Sequence, residues 1–305
     1  MMNIRRLGAV DIGSNSVKLL ICDIINHETR IVNKKFIHMR MPLQLGNDTF
    51  LSGYISDDKK EKLARLIQTY KSFLEISETE KYRVCATSAL REAENKEEII
   101  DYIYTTVGVE IEIISSKDEA NFIFLNITEK GCKPKTSYVI VDVGGGSTEI
   151  ILSQDQLLLE TESFRLGTIR SLSREQEVEE WNRLKRWLED RRNNLYNISL
   201  VGSGGNINKI NSLFNRRGKI RKIDLKDFYK TLKNMDYEER VIKSNFGLNR
   251  IEVILPAVNI FLNIMKILKA GSIQIPVIGI ADGIIKDLYL KEYDFDDSSA
   301  IISEP

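Results

Sequence analysis

The feature that most constrains this chain is a short motif that occurs twice, in which one acid and a turn separate two apolar runs. The two copies read Val10-Asp11-Ile12-Gly13-Ser14-Asn15-Ser16-Val17-Lys18-Leu19-Leu20-Ile21 and Val141-Asp142-Val143-Gly144-Gly145-Gly146-Ser147-Thr148-Glu149-Ile150-Ile151-Leu152. Apolar, largely β-branched runs on both sides of a turn predict a strand, a tight turn and a second strand. Asp11 aligns with Asp142 and Gly13 with Gly144 at one constant offset. Such a duplication predicts two similar halves.

The residues of the two turns indicate what they bind. Glycine permits positive φ and lets backbone N–H groups approach a ligand closely, while neighbouring serine and threonine residues supply hydroxyls. A phosphate group with its metal ion suits this combination best. One Asp-x-Gly would be weak evidence, because turns favour both residues, but two copies in register are much stronger. Two halves that face each other would place Asp11 and Asp142 on opposite walls of one cleft.

Length and charge narrow the class of protein further. A chain of 305 residues exceeds the size at which single cores stop growing, which favours two domains. Lys plus Arg and Asp plus Glu both number 44, so no overall charge attracts nucleic acid or a membrane. Neither is therefore expected as a partner, and any polyanion site must be local.

Cysteine and histidine are too sparse to carry the chemistry. Cys22, Cys85 and Cys132 are scattered, which argues against a zinc site or a disulfide framework and fits a reducing compartment. With only His27 and His38, histidine catalysis is not expected. The start does not resemble a signal peptide, and no apolar run is long enough to span a bilayer. A cytoplasmic protein is predicted.

The predicted elements follow the order of a ribonuclease-H-like half, a mixed sheet covered by helices. After the first hairpin, a third strand covers 30–41, a loop covers 41–50, and a helix begins at Ser56. Strand, helix, strand and helix then follow. The second half is predicted to contain a long helix over 168–195, an apolar helix over 250–268 and a last strand over 273–280, with Val178, Trp181, Leu184 and Leu188 as the buried stripe of the long helix.

This order predicts an N-terminal domain of residues 1–125 and a C-terminal domain of residues 126–305. One option for the last helix, at about 283–305, is to pack back on the N-terminal domain. The apolar helix over 250–268 leaves a homodimer as an option, although burial within its own domain explains it equally well.

Five further segments accompany the two hairpins: 86–95, 113–120, 166–170, 202–209 and 279–288. Together these motifs resemble the exopolyphosphatase and guanosine pentaphosphate phosphatase (Ppx/GppA) family of the actin-like ATPase superfamily. The resemblance implies an α/β fold of two ribonuclease-H-like (actin-like ATPase) domains, with a mixed sheet in each and the active site in the interdomain cleft. It also implies hydrolytic release of the terminal phosphate of inorganic polyphosphate, of guanosine pentaphosphate or of both, with Mg²⁺ as the cofactor.

The resemblance assigns roles to individual residues. Glu119 aligns with the glutamate that positions and activates the attacking water, and Asp142 and Glu149 complete the catalytic set. Asp11, Asp142 and Glu149 are expected to hold the metal, largely through water because Mg²⁺ dehydrates reluctantly. The expected phosphate ligands are Ser14, Asn15, Ser16, Arg91, Gly144, Gly145, Gly146, Ser147 and Thr148.

Each assignment has a purely structural alternative. Glu119 could be an acid that favours the first turn of a helix through the helix dipole. Glu149 could be a strand residue that faces solvent, and Arg91 could be a solvated helix residue. Asp11 and Asp142 could be turn-forming aspartates, although that reading does not explain two copies in register.

Two departures from the family pattern bear on the substrate. Gln44 stands where many relatives have Arg before Leu-Gly, and Asn121 stands where Arg often follows Glu-Ala. Both lower the positive charge near the site, so preference for long-chain polyphosphate stays open. Whether the turn at 202–208 binds a nucleotide base also stays open. The better of two candidate polyanion tracks is a basic loop that contains Arg216, Arg217, Lys219, Arg221 and Lys222.

Two other functions compete with hydrolysis. One is a non-catalytic nucleotide or alarmone sensor, which would bind its ligand without consuming it. The other is a small-molecule kinase of the same superfamily, for which the sequence offers no clear sugar-binding acid beyond those already assigned.

Overall fold

The structure is a computed structural model that describes residues 3–27, 30–128, 133–214, 218–244, 246–293 and 301–303. The chain divides into two compact units: unit 1 comprises Met1–Gly131 and Gly279–Pro305, and unit 2 comprises Cys132–Ile278. The division thus falls after residue 131, where the sequence prediction placed it after residue 125. The final helix belongs to unit 1.

Helices and strands alternate along both halves of the chain. The first half contains β1 (Asn3–Ile12), β2 (Ser16–His27), β3 (Arg30–Pro42), α1 (Leu45–Ser52), α2 (Asp57–Ile76), β4 (Lys81–Ala86), α3 (Ser88–Glu92), α4 (Lys96–Val107), β5 (Glu112–Ile113) and α5 (Ser116–Thr128). The remainder contains β6 (Ser137–Val143), β7 (Thr148–Gln154), β8 (Leu157–Phe164), α6 (Arg174–Arg192), β9 (Ser199–Ser203), α7 (Gly205–Leu213), β10 (Lys219–Arg221), α8 (Lys222–Asn234), α9 (Tyr237–Lys243), α10 (Leu248–Ile267), β11 (Ser272–Gln274), α11 (Ile280–Glu292) and β12 (Ile301–Ser303).

Unit 1 is built on a mixed sheet with the strand order β12-β3-β2-β1-β4-β5. Strands β1, β2 and β3 are antiparallel neighbours, whereas β1, β4 and β5 run parallel. The carboxyl ends of parallel strands meet at one edge of a sheet, where α/β proteins usually bind their ligands. The turn after β1 and the beginnings of α3 and α5 therefore lie at the same edge.

Helices cover both faces of this sheet, as strand alternation requires when both faces are buried. On one face, Leu63 and Ile67 of α2 pack with Val10 and Ile12 of β1. On the other, α5 and α11 cover the alternate residues of the strands, among them Leu7, Ala9, Leu20, Cys22 and Cys85. Helix α11 thereby completes the core of unit 1.

Ion pairs at its rim also hold α11 to the sheet of unit 1. Lys35 Nζ lies 2.7 Å from Asp282 Oδ1, and Arg83 Nη1 lies 2.5 Å from Asp287 Oδ2. Because these pairs join residues far apart in sequence, the chain must return to unit 1 before this side of the sheet is covered.

Unit 2 repeats the arrangement with the strand order β10-β11-β9-β6-β7-β8. Strands β6, β7 and β8 are antiparallel, and β9 lies parallel to β6. Its core includes the apolar helix α10, from which Ile254, Val258 and Phe261 pack among the sheet residues. Among the described helices, none is long and apolar enough to cross a membrane.

Three sequence predictions about elements were wrong. The predicted loop over 41–50 contains helix α1, and the strand predicted over 273–280 is only Ser272–Gln274. The helix predicted from 168 begins at Arg174, where Ser173 forms a capping box with Gln176. Val178, predicted in its buried stripe, is 54% exposed. Residues 168–170 are not helical because their N–H groups bond to the turn between β6 and β7.

Helix α1 is tied to the start of α2 through Asp48. The Asp48 carboxylate accepts hydrogen bonds from Lys59 Nζ at 2.6 Å and from Ser56 Oγ at 2.6 Å. Burial acts to raise the pKa of Asp48, but the hydrogen bonds from Lys59 and Ser56 outweigh it and lower the pKa below its ordinary 3.8. The ionised form is therefore the one that stabilises the fold.

We expect Asp48→Asn to lower the free energy of unfolding by about 1 to 3 kcal/mol at neutral pH, the usual range for hydrogen bonds to a charged group. A lowered folded-state pKa contributes stability above the unfolded value, and that stability is lost as pH falls through the folded value. The difference between the variants should therefore shrink as pH drops below 3.8. Urea unfolding of the wild type and of Asp48→Asn at several pH values measures this difference in the free energy of unfolding. A difference that does not depend on pH would contradict its ionic origin.

Candidate phosphate-binding and catalytic site

The two hairpins predicted from the sequence have the same geometry. In each, a backbone bond closes the turn: Gly13 N donates to Ser16 O at 3.1 Å, and Gly144 N donates to Ser147 O at 2.9 Å. The registers also match, since the acid of the first strand faces the residue seven positions later in both hairpins, Asp11 with Lys18 and Asp142 with Glu149. The turns are called loop 1 (residues 13–15) and loop 2 (residues 144–147) below.

Loop 2 is held by the segment 166–170, which follows β8. Thr168 N donates to Gly144 O at 3.1 Å, Ile169 N donates to Gly145 O at 2.9 Å, and the Arg170 guanidinium donates to Gly146 O. The carbonyls of all three loop glycines are therefore fixed from one side.

Loop 1 is held in the same way by the segment that leads into α1. Gly46 N donates to Ser14 O at 2.9 Å, and Gln44 N donates to Asn15 O at 3.1 Å. Both holding segments contain the dipeptide Leu-Gly, at 45–46 and at 166–167. The sequence motif thus repeats beyond the hairpins, a signal that an alignment limited to the hairpins misses.

The fixed carbonyls determine where the loop N–H groups point. In a planar trans peptide, the N–H of one residue points opposite to the C=O of the residue before it. The N–H groups of Gly145, Gly146 and Ser147 therefore point away from the segment 166–170, as those of Asn15 and Ser16 point away from the segment 44–46. Successive N–H groups exposed on one side of a turn can form an anion-binding concavity.

Three of the four hydroxyls predicted as phosphate ligands are engaged within the protein, and the contact of Ser16 with phosphate stays a prediction. Ser14 Oγ lies 2.8 Å from Ser88 Oγ, Thr148 Oγ1 donates to Leu166 O at 2.6 Å, and Ser147 Oγ donates to Glu149 Oε1 at 2.6 Å. The structure thus points to the backbone of the loops as the main source of donors. By contrast, Asn15 Oδ1 is buried and has no hydrogen-bond partner within the described residues.

Asp142 and Glu149 stand side by side on β6 and β7, where the register pairs them directly. Both are buried, at 5% and 3% exposure, so the reading of Glu149 as a solvent-facing residue is wrong. Glu149 Oε1 also accepts from Ser163 Oγ at 3.0 Å. Two buried carboxylates in adjacent positions together attract a cation.

The same row of the sheet continues to Ser203 on β9, which pairs with Asp142. Ser203 is 1% exposed, and its Oγ has no hydrogen-bond partner in the described part of the chain. Gly204, at φ +96°, brings the backbone so close that a Cβ there would lie 2.3 Å from Asp142 Oδ1. Oxygen donors of this kind fit Mg²⁺, which takes one or two carboxylates and completes its shell with water and phosphate. No group of three or more His, Cys, Asp or Glu suited to a metal occurs among the described residues.

The neighbour of Asp11 is a lysine, whereas the neighbour of Asp142 is a glutamate. Its Oδ2 lies 2.6 Å from Lys18 Nζ, and the Asp11 side chain is 1% exposed. Its Oδ1 is buried without a hydrogen-bond partner among the residues that the structure describes.

Glu119 lies in the first turn of α5 and is 4% exposed. Arg91 Nη1 donates both to Glu119 Oε1 at 2.5 Å and to Ile114 O at 2.7 Å. The arginine predicted to bind phosphate therefore anchors the predicted catalytic carboxylate, and its phosphate contact stays a prediction. The bond from Arg91 fixes the orientation of the Glu119 carboxylate at the edge of the sheet that also carries loop 1.

Several cations of the two predicted basic clusters pair with acids. The other candidate polyanion track lies on α6 and contains Arg183, Lys185, Arg186, Arg191 and Arg192. Within it, Arg183 pairs with Glu180 and Glu162. In the basic loop, Arg221 pairs with Asp224 at 2.8 Å, while the structure does not describe Arg216 and Arg217.

The thiols of Cys22 and Cys85 are not nucleophiles at neutral pH. Burial raises the pKa of the Cys22 and Cys85 thiols to about 12. Burial also lowers the pKa of His38, which keeps that side chain neutral. These observations agree with the expectation that carboxylates carry the chemistry.

Two α/β units, each with an acid-bearing hairpin and a turn held by a Leu-Gly segment, define a class of two-unit proteins with an actin-like fold. Comparison with known proteins places the chain within this class. The chain belongs to the Ppx/GppA phosphatase family, which matches residues 24–292.

Similar curated proteins include exopolyphosphatase 1 of Mycobacterium tuberculosis, 31% identical over 50% of this chain and 43% of the relative. A guanosine-5'-triphosphate,3'-diphosphate pyrophosphatase of Pseudoalteromonas atlantica is 29% identical over 53% of this chain and 31% of the relative. A bifunctional 3-dehydroquinate synthase/phosphatase of Fusobacterium nucleatum is 28% identical over 65% of this chain and 32% of the relative. The matched region thus spans between about a third and about half of these relatives.

Solved structures show the same fold. The Aquifex aeolicus member of the Ppx/GppA family has a TM-score of 0.75 at 25% identity, covering 95% of this chain and 99% of the other. An exopolyphosphatase from Cytophaga hutchinsonii has a TM-score of 0.80 at 21% identity, covering 97% of this chain and all of the other. The predicted family and the α/β fold with a mixed sheet in each half are confirmed.

Proposed function

We propose that this protein is a Mg²⁺-dependent phosphohydrolase that releases the terminal phosphate of inorganic polyphosphate, of guanosine pentaphosphate or of both. The observation that carries the proposal is the pair of loops, each with its carbonyls bonded on one side so that its N–H groups point to the other. Phosphoryl transfer requires mainly positioning and charge neutralisation, so such loops supply much of what catalysis needs. The relatives named exopolyphosphatase 1 and guanosine-5'-triphosphate,3'-diphosphate pyrophosphatase support both substrates.

In this proposal, the N–H groups of Gly145, Gly146 and Ser147 bind phosphate oxygens, and those of Asn15 and Ser16 do the same in unit 1. Backbone donors suit this task because they are already oriented and need no reorganisation during the reaction.

Glu119 is proposed as the general base. Its carboxylate accepts a proton from the attacking water as the new P–O bond forms and the anhydride P–O bond breaks, with the shortened polyphosphate or nucleotide as the leaving group. Arg91 holds the carboxylate for this step and is a positioning residue, since its observed contacts are to Glu119 and Ile114.

Asp142 and Glu149 are proposed to hold the Mg²⁺ ion, with the Ser203 hydroxyl beside them. When bound, the ion would neutralise phosphate oxygens and polarise the phosphoryl group. The burial of both carboxylates keeps bulk water away from the charged oxygens, which strengthens their attraction to a cation.

A substrate panel tests the proposal. Purified protein is incubated with polyphosphate or guanosine pentaphosphate, with Mg²⁺ or with EDTA, and inorganic phosphate is measured. We expect Mg²⁺-dependent release from at least one substrate. Binding of guanosine pentaphosphate without consumption would favour a sensor, and ADP formation from ATP that depends on an added sugar would favour a kinase.

A further inference from the structure

The two hairpins share one geometry but differ in the charge of one equivalent residue. In unit 1 the register places Lys18 opposite Asp11, whereas in unit 2 it places Glu149 opposite Asp142. Lys18 and Glu149 occupy equivalent positions, because both face the hairpin acid across an antiparallel pair. One hairpin therefore presents an acid with a base, and the other presents two acids.

The rows to which these residues belong extend the contrast. Lys18 is paired on its other side with Arg40 of β3, so two cations follow Asp11 on that side of the unit 1 row, which continues in the other direction through Cys85 to Glu112. Glu149 is paired on its other side with Ser163, and Asp142 with Ser203, so the unit 2 row has two carboxylates and two hydroxyls. The Asp142 and Glu149 pair therefore attracts a cation, whereas the Lys18 ammonium repels one at Asp11.

The contact in unit 1 shows what the lysine does there. Lys18 Nζ lies 2.6 Å from Asp11 Oδ2, and the Asp11 side chain is 1% exposed. A buried carboxylate needs a compensating positive charge, and the ammonium provides it. The other oxygen, Oδ1, is buried and has no hydrogen-bond partner in the described residues. One oxygen of Asp11 is thus neutralised while the second can accept a hydrogen bond.

We propose that the Lys18 ammonium is an internal cation that takes, at Asp11, the place that a divalent metal ion takes at the Asp142 and Glu149 pair. Unit 1 then binds no metal of its own, and Asp11 serves as a hydrogen-bond acceptor through Oδ1. Lys18 is a positioning residue that compensates the charge of Asp11 and fixes its orientation. The inference rests on the proposed function for the metal site of unit 2, and it departs from the sequence prediction that Asp11 is a metal ligand.

Binding of Mn²⁺ without substrate tests this assignment separately from hydrolysis. Electron paramagnetic resonance of free Mn²⁺ gives the affinity and the number of ions bound by the full chain. We expect Glu149→Gln to weaken binding by about 10-fold or more, as loss of groups at a metal site commonly does. Asp11→Asn should leave the affinity unchanged within error. Equal weakening by both variants, or no binding by the wild type, would overturn the proposal.

Charge reversal at Lys18 provides a gain-of-function test. Lys18→Glu recreates the acid pair of unit 2 in unit 1, so the variant should bind one Mn²⁺ ion more than the wild type. Lys226→Glu is the matched control, since it changes the net charge equally at an exposed position on α8 and should add no ion. A folded Lys18→Glu variant that binds no additional ion counts against the proposal.

The Asp11→Asn and Glu149→Gln comparison decides the question even if Lys18→Glu does not fold. A merely structural role of Lys18 would not change the number of bound ions. If the Mn²⁺ pattern holds while no substrate releases phosphate, the internal cation stands and the proposed hydrolysis falls. If phosphate is released but Mn²⁺ binding depends on Asp11, the proposed hydrolysis stands and the internal cation falls.

Discussion

Replacement of Glu119 by Gln should lower kcat for phosphate release by about 10²- to 10⁴-fold, the usual contribution of a positioned general base. The amide keeps the size of the side chain but cannot accept the proton of the attacking water. KM should change little, because the phosphate is held by the loops. The measurement is steady-state phosphate release from the substrate that the panel identifies, over a range of pH.

A pH profile and a control variant separate catalysis by Glu119 from a structural role. The variant should lose the acidic limb of the kcat/KM profile, which loss of the pairing with Arg91 alone would not remove. Glu97→Gln is the matched control, because Glu97 has a 74% exposed side chain on α4 in the same unit. A Glu119→Gln variant that retains nearly all of the wild-type kcat would refute the assignment.

Replacement of Gly167 by Ala should disable loop 2. A Cβ at this position would lie 2.2 Å from Gly145 O and 2.5 Å from Gly146 C, and both are backbone atoms that cannot rotate away. The loop must shift, and a displacement of about 1 Å in a positioning group can cost about 10²-fold in rate. We expect kcat/KM to fall by about that factor and the free energy of unfolding to fall by about 1 to 3 kcal/mol, as for other overpacked sites.

Gly271→Ala is the control for this experiment. A Cβ at Gly271 would meet no heavy atom within 4 Å, so the same substitution there should leave phosphate release unchanged. Urea unfolding measures stability independently of any substrate. If Gly167→Ala matches the wild type in both stability and kcat/KM, the segment 166–170 does not hold the loop as described.

The local sequence pattern was sufficient for much of the fold. Alternating or continuous apolar runs around the turns predicted β1, β2, β6 and β7, since side-chain period and turn residues act over only a few positions. The same pattern failed where distant contacts decide the structure. Residues 168–170 resemble the start of a helix, but their N–H groups bond to the glycines of loop 2 instead.

The site was predictable to a similar extent. The duplicated motif identified the two acids and the turns, and the resemblance to a family selected Glu119. The bond between Arg91 and Glu119 was not predicted, because it joins residues 28 positions apart, on α3 and α5. The hydroxyls seemed to be the natural phosphate ligands, yet the structure commits those of Ser14, Ser147 and Thr148 to contacts within the protein.

By itself, the sequence determined that the chain has two related halves, each with an acid at the end of a strand and a turn suited to phosphate. Those properties depend on residues that are close together in the sequence. Only the tertiary structure decided which segments hold the loops and that α11 returns to unit 1. It also decided that two residues of opposite charge, Lys18 and Glu149, face the equivalent acids of the two hairpins. The physical reason is that strand register and side-chain packing join distant residues, and no local pattern specifies which distant residue will fill a given place.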